Sequence, residues 1–150
     1  MDVAAFCNRQ VVTVLATDGL VHAARVMRER HVGFLIVIEE QPDGGRAPIG
    51  VLTDRDIVVG VVARDVDLAS LAVGDVMTPR PAVAHDTDSL DSVLGRMRAS
   101  GVRRLPVVDA GGQLIGIVAL DDVLNYVAAQ LTSIAASIRQ GRHVEQKLRG

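Results

Sequence analysis

The chain contains itself twice. Leu20, Met27, Val32, Leu35 and Val37 return as Leu90, Met97, Val102, Leu105 and Val107, each pair 70 positions apart. Beyond that run the offset drops to 66, Gly50 answering Gly116, so the first copy's turn is longer by four residues. A shared offset broken only in a loop marks an internal duplication. Two copies are too few for a solenoid. They predict a pseudo-twofold pair of units burying each other's sheet faces, with equivalent clefts between them.

Each copy reads β-α-β-β-α, an α/β pattern of the α+β kind. In the first, Val11 to Leu15 is a β-branched strand. Thr17-Asp18-Gly19 opens a helix whose Leu20, Ala23, Ala24 and Met27 share one face. Phe34 to Ile38 and Pro48 to Leu52 form a hairpin across the turn residues Pro42, Asp43, Gly44 and Gly45. A second helix starts at Asp54. The second copy repeats the plan: a helix from Thr87-Asp88 closed by Gly101, strands over 104–108 and 113–119, and a last helix from Asp121 or Asp122. Three segments follow: 1–72 with a short N-terminal lead-in, 73–130, and a C-terminal helix and tail over 131–150.

The two strand-to-helix corners carry the polar chemistry. At Gly50-Val51-Leu52-Thr53-Asp54-Arg55-Asp56, a hydroxyl and a carboxylate stand three residues apart. That spacing suits a capping box in its Asp form, Thr53 at the N-cap and Asp56 at the third helical position. The same geometry suits a ligand, because free amides and the positive dipole end attract phosphate while a carboxylate accepts from ribose hydroxyls.

Composition narrows the rest. Apolar residues make up 49% of the chain, which excludes disorder, but aromatics are only 2%, so the core is aliphatic. A net charge of −2 gives no general attraction to nucleic acid or anionic membrane. No apolar run approaches the roughly 20 residues of a membrane span, and no secretory leader pattern opens the chain. The expectation is a soluble, cytoplasmic protein. Cys7 stands alone, which rules out an internal disulfide, and the four histidines share no metal-binding spacing.

Taken together, the Gly-to-Asp corners, Asp75-Val76-Met77-Thr78 and the stretch from Val102 to Asp109 resemble a CBS-domain pair, the Bateman module named after repeats in cystathionine β-synthase. The likeness covers about residues 9–130. It implies an intracellular module, commonly a homodimer, that binds adenosyl ligands such as AMP, ADP, ATP or S-adenosylmethionine. Carried over residue by residue, a first site would take ribose on Asp56 and phosphate on Thr53, with the base against Val83, Ala84 and Val102. A second would take ribose on Asp122 and phosphate on Arg104 and Arg103, with the base against Thr13, Val14, Val32 and Gly33.

This chain departs from that pattern unevenly. Ala119 removes the hydroxyl from the second corner, while Gly33 and Phe34 stand where the other copy has Arg103 and Arg104. Ile36 replaces the proline that Pro106 represents. Losing a charge-assisted hydrogen bond weakens binding by about 1.5–3 kcal/mol, so two unequal sites, or one, are expected. Arg55 offers a replacement cation if it folds back over the first corner. Without a ligand site, Arg103 and Arg104 read as strand charges facing solvent.

In the tail, Leu131, Ile134, Ala135 and Ile138 continue an apolar stripe before a basic end. That reads as a helix packing on a dimer partner and fraying after Gly141. The reading as a whole is a non-enzymatic regulatory module that senses an adenosyl ligand and signals to a partner protein. A ligand-free dimerisation or docking module is its rival.

Overall fold

The computed structural model describes residues 2–150. The elements in order are β1 (Thr13–Leu15), α1 (Leu20–Arg30), β2 (Phe34–Glu40), β3 (Arg46–Thr53), α2 (Asp54–Gly60), α3 (Val73–Val76), β4 (Thr78–Pro79), β5 (Ala84–His85), α4 (Leu90–Ser100), β6 (Arg104–Val108), β7 (Leu114–Ala119) and α5 (Leu120–Arg149), with three short 3-10 turns. They form one sheet ordered β1-β2-β3-β4 and another ordered β5-β6-β7. In each, a parallel pair (β1 with β2, β5 with β6) leads into an antiparallel hairpin. The duplication read from the sequence is thus a duplication of fold.

The periodicities explain the layers. On β2, Leu35 and Val37 point into the first core with Leu20, Ala23 and Met27 of α1, while Ile36 and Ile38 point into the seam between the sheets. Both faces of that strand are buried, so it reads as a nearly continuous apolar run. Leu114 reaches the seam from β7, and Val11, Leu15, Phe34 and Ile117 pack around it. Leu105, Val107, Val93 and Met97 form the second core, matching Leu35, Val37, Ala23 and Met27 of the first.

Two segments cross between the halves. The lead-in, first in the chain, packs on the second repeat: Val3 is fully buried in its core, and Asn8 exchanges backbone hydrogen bonds with Ile117 at 2.8 Å. In the other direction, Thr78 and Pro79 pair with Val51 and Gly50, extending the first sheet. At the far end α5 differs from expectation. It runs unbroken through Gly141 to Arg149 rather than fraying there. One interior glycine weakens a helix by about 1 kcal/mol but does not by itself end it.

Candidate functional site between the repeats

The corners fold as caps. Thr53 Oγ1 accepts from the Asp56 amide at 3.1 Å, and Asp56 Oδ2 accepts from the Thr53 amide at 2.9 Å, closing the box. At the second corner only half of it exists: Asp122 Oδ2 accepts from the Ala119 amide at 2.9 Å, and Ala119 offers no oxygen in return. The strands behind both corners are fixed alike, Gly33 O accepting from Asp54 N at 3.0 Å and Arg103 O from Leu120 N at 2.8 Å.

A cleft of about 350 Å³ opens where the second corner faces the first repeat. Arg104, Ala119, Asp121 and Asp122 line one side, Val32, Gly33 and Phe34 the other, and Val11 and Val12 lie between them. The structure therefore brings Asp122, Arg104, Val32 and Gly33 together. Thr13 and Val14 do not line this cleft; Val14 is 4% exposed and belongs to the first core, and the two preceding valines take the place proposed for them. Arg103 lies in an adjoining recess with Arg104, Ala119, Leu120 and Asp121. Three polar residues at the cleft, Asn8, Gln10 and His31, went unread in the sequence.

His31 carries a backbone signal. It caps α1 at φ 54°, the left-handed conformation that its counterpart Gly101 adopts at φ 65° without steric cost. A side chain there costs roughly 1–2 kcal/mol, and strain of this kind gathers at functional sites.

The first cleft is built differently. Its recess of about 360 Å³ is lined by Phe34, Val51, Thr78, Arg80, Pro81, Ala82, Ser100, Val102, Arg104 and Pro106. Of the residues expected there, Val102 is present. Ala84 is fully buried in the second core, and Val83 turns its carbonyl to Arg96 Nη1 at 2.6 Å. Thr53 and Asp56 are not among the lining residues; Asp56 faces an outer recess shared with Arg55, Arg64 and Asp75. Arg55 thus lies away from this cleft, and the extra cation in it is Arg80, held at φ 49° with its amide on Ile49 O.

One pair belongs to both clefts. The Arg104 guanidinium lies 5.8 Å from the centre of the Phe34 ring, although the two occupy equivalent positions in the repeats. Near the axis a cation of one copy rests on an aromatic face of the other, a contact that contributes about 0.5–1 kcal/mol where exposed. Behind the second cleft, burial raises the Cys7 thiol above its ordinary range, with Arg9 opposing. Among the described residues no grouping of His, Cys, Asp and Glu could hold a metal ion, and no helix is long and apolar enough to cross a membrane.

Sequence comparison decides the family. The CBS domain model matches residues 3–63 and again residues 73–129. The chain belongs to the CBS-domain family. An uncharacterised protein of Methanopyrus kandleri is 32% identical over 117 residues, which are 78% of this chain and 58% of that protein's length. A CBS domain protein of unknown function from Thermoplasma acidophilum superposes with a TM-score of 0.72 at 26% identity, over 93% of this chain and 76% of its own. A CBS domain pair solved with 5′-methylthioadenosine and S-adenosyl-L-methionine superposes with a TM-score of 0.71, over 85% of this chain and 99% of its own. At 21% identity that last likeness is one of fold.

Proposed function

We propose that this CBS pair is a regulatory binding module for an adenosyl ligand, of the AMP, ADP, ATP or S-adenosylmethionine type, and that the second cleft is its principal site. The observation that carries this is the meeting of a carboxylate (Asp122), a guanidinium (Arg104) and an aliphatic slot (Val11, Val12 and Val32) in one cleft spanning both repeats. Ribose hydroxyls suit the acid, phosphate or another anionic group suits the cation, and a purine suits the valine walls. A module of the same fold holds adenosyl ligands, which supports the class.

The side chains lining the cleft serve binding rather than bond breaking, since none is a nucleophile set beside a base. The module acts in the cytoplasm as a homodimer and passes its occupancy to a partner protein. Because the cleft joins two repeats, a ligand that prefers one packing of them shifts the population toward it.

Thermal unfolding with AMP, ADP, ATP, NAD and S-adenosylmethionine tests the reading. A one-site ligand at 100 times its dissociation constant stabilises by about 2.7 kcal/mol, a rise of several degrees. Asp122→Asn and Arg104→Ala should cut that rise by about half or more, and Asp56→Asn should leave it. The closed Thr53–Asp56 box supports a second reading, a docking module without a ligand. A flat panel would favour it.

A further inference from the structure

From Val127 to Arg149 every residue of α5 is exposed, so the helix stands clear of both repeats. That length is roughly 35 Å at 1.5 Å per residue. It is not a polar rod. Leu124, Val127, Leu131, Ile134, Ile138 and Leu148 occupy the a and d positions of one heptad register, and all are exposed, from 38% at Val127 to 82% at Leu148. Beside them Ala128, Ala135 and Ser137 are small enough for a second helix to come close. Thr132, Ser133, Ser137 and Gly141 are weak helix formers, so a helix of this length would be marginal alone in water.

We propose that α5 pairs with α5 of a second copy as an antiparallel two-stranded coiled coil. Three features select a second copy running the opposite way. The outer half carries Arg139, Arg142, Lys147 and Arg149 against Glu145, four cations and one carboxylate for a net +3, whereas the inner half is charged only by Asp121 and Asp122. A parallel pair would set the basic ends side by side; an antiparallel pair sets each against the other's acidic start.

The heptad also holds two interruptions, Gly141 at d and Glu145 at a. In a parallel pair, glycine would meet glycine across a void and Glu145 would face its own copy. Antiparallel, Leu131 falls opposite the partner's Gly141, where a Cβ would have open space. The same register sets Leu124 against the partner's Leu148, Ile134 against the partner's Ile138 and Val127 against the partner's Glu145. In that direction each interruption faces an apolar side chain of the partner rather than its own kind.

Cross-linking of the full chain in a Cys7→Ser background tests this. Two differently tagged forms, one Leu124→Cys and one Leu148→Cys, are co-expressed and oxidised. The expected product is a mixed-tag disulfide dimer, with little dimer from Leu148→Cys alone. Efficient self-cross-linking of Leu148→Cys would overturn the antiparallel arrangement, and absence of the mixed dimer would overturn the pairing. As a second readout, Leu131→Asp with Ile138→Asp should lower the sedimentation mass toward the monomer or, where another face still joins the bodies, reduce the helical circular dichroism. The main thermal transition should remain. Mass and helicity both unchanged would refute the proposal, as would a wild-type chain that sediments as a monomer at high concentration.

Discussion

The two clefts share a plan and differ at a few equivalent positions. In the second, Asp122 caps the chain at Ala119 and lines the cleft with Arg104. In the first, Asp56 caps Thr53 in a reciprocal box and faces an outer recess beside Arg55 and Arg64. Where Arg103 and Arg104 lead into β6, Gly33 and Phe34 lead into β2, so the second repeat lends its cation, Arg104, across the axis to both clefts. A duplicated fold therefore need not duplicate a site. The backbone repeats because the buried faces repeat, and the chemistry diverges because it rests on residues the core does not constrain.

Equivalent core positions should respond alike, and that gives the largest effect. Leu35 and Leu105 are both fully buried on matching strands. Leu35→Ala and Leu105→Ala should each destabilise by about 2–5 kcal/mol in urea unfolding. A large inequality between them would break the equivalence of the two cores.

Binding should separate what packing equates. Once a ligand is found in the thermal panel, Arg104→Ala should weaken it roughly ten- to hundredfold by calorimetric titration, equivalent to about 1.5–3 kcal/mol. Asp56→Asn should change affinity less than about twofold by the same arithmetic. The reverse ranking would move the principal site to the first cleft.

The corners offer a smaller and reciprocal contrast. Thr53→Ala should cost about 1 kcal/mol in chemical unfolding, as the loss of an N-cap does. Ala119→Thr, which completes the box Asp122 already half forms, should gain up to a similar amount. Equal effects of one sign would show that the two corners are not alternative states of one motif.

At the ends of α1 and α4 the expected change is of the same order or less. His31→Gly relieves a left-handed residue and should raise stability by up to about 1 kcal/mol, whereas Gly101→Ala should lower it by about that much. A loss of ligand affinity in His31→Gly with stability gained would assign the strain at His31 to the cleft.

Much of this was legible in the residue order. The 70-residue offset fixed the duplication, the helical spacing of Leu20, Ala23 and Met27 fixed which face of α1 is buried, and Thr53 to Asp56 announced the cap. Those features are local or strictly periodic, and hydrogen bonds three residues apart close in any context. Clustered placement of Asp122, Arg104, Val32 and Gly33 followed from the family pattern laid on the repeat. Reading Thr13 and Val14 as cleft walls did not carry through to the lining, because Val14 turns into the first core and the cleft opens two residues earlier, at Val11 and Val12 ahead of β1.

What the sequence determined by itself was the repeating unit, its elements and their buried faces, since each depends on residues a few positions apart. Only the tertiary structure decided that the lead-in completes the second core, that Thr78 and Pro79 extend the first sheet, and that Arg80 rather than Arg55 reaches the first cleft. These depend on contacts between segments tens of residues apart. Burial and hydrogen bonding choose among such pairings only after the halves have met, and no local period records the choice.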